Sequence, residues 1–287
     1  MATHLIKLTL LFIFFVSPSY FVYGQGNLSP VSEKATDTQR QIEKNQLLPN
    51  KKAHKSQTTT SAKKDGGFVV SAYLGAAKTA SIDLRISQPT LNTDLTFENV
   101  RLRSRSFESP QYYGLRAGYF FRQVPYIGVE AEFIHLKVYS DPQQTVRVAG
   151  VRRGASINRE IALGEIVQQY SISHGANFLL FNLAARRGFW RGNNSKRNRL
   201  LLTAHAGIGP TIPHTESIVE GQRQEQYELG RLGWQIAAGT EIRFCRGIYA
   251  LGEYKYTQAR QNGKVAVGNA ESFLRTHHGI FGLSYHF

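Results

Sequence analysis

Residues 112–135 read YYGLRAGYFFRQVPYIGVEAEFIH. Tyr113, Leu115, Ala117, Tyr119 and Phe121 share one parity, and Tyr112, Gly114, Arg116, Gly118 and Phe120 share the other. After the short link QVP the alternation resumes, with Ile127, Val129, Ala131 and Phe133 opposing Gly128, Glu130 and Glu132. Successive side chains of a strand point to opposite faces, so this is a tight hairpin whose strands are apolar on one face and charged on the other.

The same period of two marks eight runs, near 67–78, 111–122, 126–138, 169–187, 198–210, 229–244, 248–258 and 275–287. Their connections alternate in length: QVP, GFWRGNNSKRN and CRG are short, and the intervening links are long. A water-soluble barrel would turn its apolar face inward and leave Arg, Glu and His in water, whereas a barrel in lipid inverts this. The pattern therefore predicts an all-β chain, an eight-stranded antiparallel transmembrane up-and-down β-barrel. Short turns lie on the periplasmic side, long loops lie outside, and the interior is just wide enough to be filled by side chains.

Upstream, Lys7 precedes the apolar run LTLLFIFFV and the break SPSYFVYG, which reads as a signal peptide over residues 1–24. Residues 25–66 hold eight basic and four acidic side chains and no aromatics, too little apolar surface to offset ordering, and read as a disordered basic leader in the periplasm. Residues 67–287 form the barrel. Cys245 is the single cysteine, so no internal disulfide forms. A barrel embedded in the cell surface does not meet nucleic acid, and no nucleic-acid partner is expected.

The C-terminal HHGIFGLSYHF alternates Gly279, Phe281, Leu283, Tyr285 and Phe287 with His278, Ile280, Gly282, Ser284 and His286. Ending on Phe after such alternation resembles the C-terminal signal of bacterial outer-membrane proteins. That resemblance implies residence in the bacterial outer membrane, contact with its lipid, and recognition by the outer-membrane barrel assembly machinery.

Candidate chemistry follows from the faces. Glu130, Glu132, Glu241 and Glu253 are expected inside against Arg116, Arg199, Arg243 and Lys255, a balanced network that plugs a narrow barrel. His135, His174, His214 beside Glu216, and His277 with His278 are expected at the outer mouth, where histidine supplies acid/base groups or ligands for a divalent metal. Ser173 and His174 are adjacent on one strand and point apart, which disfavours a serine hydrolase pair. Arg101, Arg103 and Arg105 form a comb, followed by Arg147, Arg152, Arg153 and Arg159; arginine forks suit the phosphates of lipopolysaccharide.

Several segments, SFESPQYYGLRAGYFF, GVEAEFIHLKVYSD, SISHGANFLLFN, HAGIGPTIPHTES and ALGEYKYT, together resemble outer-membrane lipid A oxidases. The resemblance implies an oxygen-dependent oxidation of lipid A glucosamine at the outer leaflet. Position alone nominates Glu132, His135, His174 and Glu253 as catalytic. It also nominates His174, His214 and Glu216 as metal ligands, and Arg101, Arg103, Arg105, Arg152 and Arg153 as substrate-binding. The alternative is a non-enzymatic OmpA-type barrel that stabilises the envelope or presents loops to partners.

Overall fold

In the computed structural model, residues 66–191, 197–227 and 229–287 are described, with residues 173–175 described in backbone only. The signal peptide and the leader up to residue 65 lie outside the described residues. No helix among the described residues is long and apolar enough to cross a membrane.

The described chain is almost entirely antiparallel β. In order the strands are β1 (Gly67–Thr79), β2 (Ile82–Gln88), β3 (Thr93–Val100), β4 (Leu102–Ser104), β5 (Tyr113–Phe120), β6 (Ile127–His135), β7 (Val138–Ser140) and β8 (Thr145–Arg152). There follow β9 (Ala155–Ala162), β10 (Val167–Arg191), β11 (Asn198–Val219), β12 (Gln222–Tyr227), β13 (Leu232–Cys245), β14 (Ile248–Val265) and β15 (Gly268–His286). The ladders run β1-β5-β6-β10-β11-β13-β14-β15, and β15 in turn pairs with β1 over Val69–Thr79. A path that returns to its first strand leaves no open edge along the paired length.

All eight alternating runs are strands. The long links, expected as loops, are instead strands stacked above this ring. β2, β3, β8 and β9 extend the sheet from β15, β4 pairs with β7, which pairs with β10, and β12 pairs with β11. The alternation was present in IDLRISQ, TDLTFENV and TVRVAGVR, but these runs are short. The link after β14 is a tight hairpin, since Val265 pairs directly with Gly268.

Two interiors result. Within the ring, the inner face carries buried polar residues, and the outer face exposes Phe68, Leu115, Phe181, Ile208, Leu232, Ile242 and Phe281. Above the ring, the added strands enclose an apolar core that includes Leu84, Ile86, Phe97, Val148, Leu163 and Ile172, each fully buried.

Candidate functional site

The inner face of the ring is layered. At the level where β1 begins and β15 ends, His286 Nε2 lies 2.8 Å from Glu241 Oε2, and Arg186 donates to His286 Nδ1 at 3.1 Å while lying over the Phe120 ring. Of the bases expected inside, Arg199 is exposed, and Arg243 is half-buried and donates to the Arg197 carbonyl at 3.0 Å. Both sit at strand ends, where the inner face opens out, so parity alone misplaced them.

Mid-height lies the main cluster. Arg116 grips Glu253 with both arms, Nη1 to Oε2 at 3.1 Å and Nη2 to Oε1 at 2.8 Å, and Nη2 also meets Glu132 at 2.9 Å. His205 Nδ1 faces Glu130 at 2.8 Å, and its Nε2 faces Glu253 at 3.2 Å. Lys255, with no exposed side-chain surface, pairs with Glu132 and donates to the Tyr73 hydroxyl at 3.1 Å. Tyr73 donates to Glu132 Oε1 at 2.5 Å, Asn182 donates to Oε2 at 2.8 Å, and Gln235 donates to the same oxygen. Buried charges persist when each is paired and hydrogen-bonded, and Glu132 accepts from five side chains.

Glycine makes room for this packing. A Cβ at Gly114 would collide with the Tyr73 ring, and one at Gly207 with the Asn182 amide, so both reach Glu132 only because those positions carry no side chain.

Above the cluster, His278 is buried, donates to or accepts from Thr257 Oγ1 at 2.8 Å, and packs its ring 5.5 Å from Tyr112. His277 faces outward and contacts the Tyr254 hydroxyl at 2.5 Å. The expectation that both open the last strand at its rim is corrected, because β15 begins nine residues earlier, at Gly268.

The nominated catalytic and metal residues are spread over different partners. Glu132 and Glu253 belong to the Arg116 cluster. His135 lies on the opposite parity of β6, hydrogen-bonded to Asn177 Oδ1 at 2.8 Å and stacked on Tyr113. His214 faces Glu225 at 3.2 Å and packs 3.9 Å from the Tyr227 ring, whereas Glu216 pairs with Arg223 at 2.8 Å. The His174 side chain lies outside the described residues. Among the described residues no group of three or more His, Cys, Asp or Glu is placed to hold a metal.

Four of the five nominated substrate-binding arginines are engaged with acids. Arg103 pairs with Asp141 at 2.6 Å, and Arg105 pairs with Glu108 at 3.1 Å and lies over the Tyr139 ring. Arg152 and Arg153 converge on Glu220 at 2.8 and 2.6 Å. Arg101 exchanges backbone hydrogen bonds with the Gln144 side chain. Partial burial raises the Glu220 carboxyl, but the hydrogen bonds from Arg153 and Arg152 outweigh it and hold the pKa below the usual carboxylate value.

Sequence reasoning missed Tyr73, Asn182 and Gln235 as parts of the cluster. Gln235 and Asn182 do share the inward parity of buried Glu241 and Ala184 on their own strands, the signal that could have found them.

No protein-family model and no curated protein matches the chain. Among solved structures, Neisserial surface protein A aligns over 77% of this chain and 97% of its own at 11% identity, with a TM-score of 0.35. The outer membrane protease OmpT from Escherichia coli covers the same shares at 9% identity and a TM-score of 0.41. OprG, an outer membrane protein from Pseudomonas aeruginosa, aligns over 78% of this chain and 98% of its own at 14% identity, with a TM-score of 0.36. Likeness at this level assigns the chain to no family.

Proposed function

We propose that the chain is an integral β-barrel of the bacterial outer membrane. Its eight-stranded ring is sealed by side chains, and it holds a folded β head outside the cell in a non-enzymatic envelope or surface-interaction role. The observation that carries the reading is the inversion of faces. Leu232, Trp234, Ile242 and Phe244 of β13 are exposed, while Gln235 and Glu241 between them are buried. Charges packed within and a continuous apolar belt without is the arrangement that lipid favours; in water such a belt far exceeds the few hundred Å² of apolar patch usual for a monomer. From Leu232 to Phe244 the belt runs ~40 Å along the strand, or ~30 Å across a bilayer at a tilt of ~40°.

The ends support the orientation. Both termini of the ring and the short turns lie at one end, taken as periplasmic, and the head lies at the other. In this reading the assembly machinery reads the C-terminal strand, and outer-membrane lipid and lipopolysaccharide surround the belt. The nominated residues support a structural role, since His135, His214, Glu216, Glu132 and Glu253 each have packing or ionic partners of their own.

The test is mass spectrometry of lipid A from cells with and without the protein, with surface protease digestion of whole cells. Unchanged lipid A and cleavage confined to head segments are expected. Oxidised lipid A that appears only with the protein would replace this reading with the lipid A oxidase.

A further inference from the structure

One part of the outer wall is built differently from the rest. β13 stops at Leu232, which pairs with Pro210, and its neighbour Gly233 pairs with Ala259. β11 and β14 continue upward beyond it, β11 toward β12 and β14 toward the β15 hairpin. Beside this end of β13 a crevice of about 600 Å³ opens on the outer face, lined by Leu232, Trp234 and Phe273 together with Arg231 and Arg260. Arg260 stands directly across the ladder from Phe273, and Arg275 lies across from Gln258 just below.

These arginines differ from those of the head. Arg103, Arg105, Arg152, Arg153 and Arg223 each carry an acidic partner. Arg231, Arg260 and Arg275 are exposed, and among the described residues none of them has one. Two guanidinium groups, Arg231 and Arg260, which have no acidic partner among the described residues and line an apolar crevice, complement an anion joined to a hydrocarbon chain. Guanidinium forks match phosphate oxygens, and the aromatic and aliphatic lining matches acyl chain.

We propose that this crevice seats an acyl lipid of the outer leaflet that carries net negative charge on a terminal phosphate, with its phosphate on Arg231 and Arg260 and a chain along Leu232, Trp234 and Phe273. The proposal rests on the membrane orientation given above.

Trp234 is a built-in reporter, because the chain has two tryptophans and Trp190 sits at the opposite end of the wall. The experiment uses Trp190→Phe protein in phosphatidylcholine vesicles that contain bromine-labelled chains, either on phosphatidic acid or on phosphatidylcholine itself. Labelled phosphatidic acid is expected to quench Trp234 at a roughly tenfold lower mole fraction than labelled phosphatidylcholine. Arg231→Gln with Arg260→Gln should erase the preference, Arg260→Lys alone should retain most of it, and dissolved inorganic phosphate should not reverse it. Equal quenching by the two lipids in the parent protein overturns the proposal while leaving the membrane reading intact. A preference that survives the Gln pair, or reversal by inorganic phosphate, also overturns it. Absence of quenching by either lipid removes the membrane orientation and the proposal with it. The two-lipid comparison needs no variant at the crevice and decides the matter even if the Gln pair misfolds.

Discussion

The backbone N–H of Phe287 donates to the carbonyl of Phe68 at 3.0 Å, so the last residue of the chain is bonded to the second residue of β1. The β1–β15 ladder starts beside this bond, with Val69 opposite His286, and climbs to Thr79 opposite Thr276. The pairing of β15 with β1 thus runs over Val69–Thr79.

Removing Phe287 deletes the lowest bond of the closing ladder and one exposed aromatic of the apolar belt. Assembly yield in cells is expected to fall several-fold while protein already assembled keeps its secondary structure. Quantifying folded protein in purified outer membranes checks this, and an unchanged yield would contradict the role given to the terminal strand.

Arg116 touches Glu132 and Glu253 at hydrogen-bond distance and approaches Glu130 at 3.6 Å. Arg116→Ala leaves these carboxylates short of a cation, and breaking a buried pair on one side costs about 3–5 kcal/mol. Exposed Arg199→Ala should stay within about 0.5 kcal/mol of the parent. Denaturant unfolding in lipid vesicles measures both, and planar-bilayer recordings of the parent protein should show no steady ion conductance through the filled interior.

Gly114→Ala places a methyl group where the Tyr73 ring lies. Tyr73 must then move away from Glu132, and overpacking of this kind costs about 1–3 kcal/mol. Gly252, whose Cβ would meet nothing within 4 Å, serves as the control, and its alanine variant should unfold close to the parent midpoint.

Glu220 clasps Arg152 and Arg153 at the tip joining β8 to β9. Its folded pKa is depressed, so the stabilisation is complete above the ordinary carboxylate pKa of about 4.3 and is lost as pH falls through the lower folded value. Hydrogen exchange at residues 145–162 should accelerate as pH is lowered from 6 toward 3, after correction for intrinsic exchange. Glu220→Gln should be fast already at pH 6 and flat across the range. Equal pH dependence in parent and variant would show that the clasp does not hold the tip.

Much of the ring was legible because its signal is local. Runs such as Leu115-Arg116-Ala117 and Val129-Glu130-Ala131 declare both strand and face within a few residues, since a period of two needs no distant partner. The head was less legible. Leu84, Phe97 and Val148 lie in short stretches whose alternation resembles any loop, and they become a core only when β2, β3 and β8 stack together.

The candidate site was legible residue by residue but not as a set. Glu132 and Glu253 were placed inside correctly, yet their partners come from β1, β5, β10, β11, β13 and β14, and nothing local links Tyr73 to Asn182 or Gln235. His135 and His214 were expected together at one mouth, but sequence carries no measure of distance across the ring, and the ladders set them opposite Tyr113 and Tyr227.

By itself, the sequence determined strand identity in the ring and which face of each of its strands is apolar, because these follow from side-chain chemistry read at period two. Only the tertiary structure decided that the long links become a cored head, that Arg103, Arg105, Arg152 and Arg153 each meet an acid, and that Arg231 and Arg260 have no acidic partner among the described residues. Those outcomes depend on register between segments far apart in the chain. A shift of one residue in any ladder would turn its side chains to the opposite face.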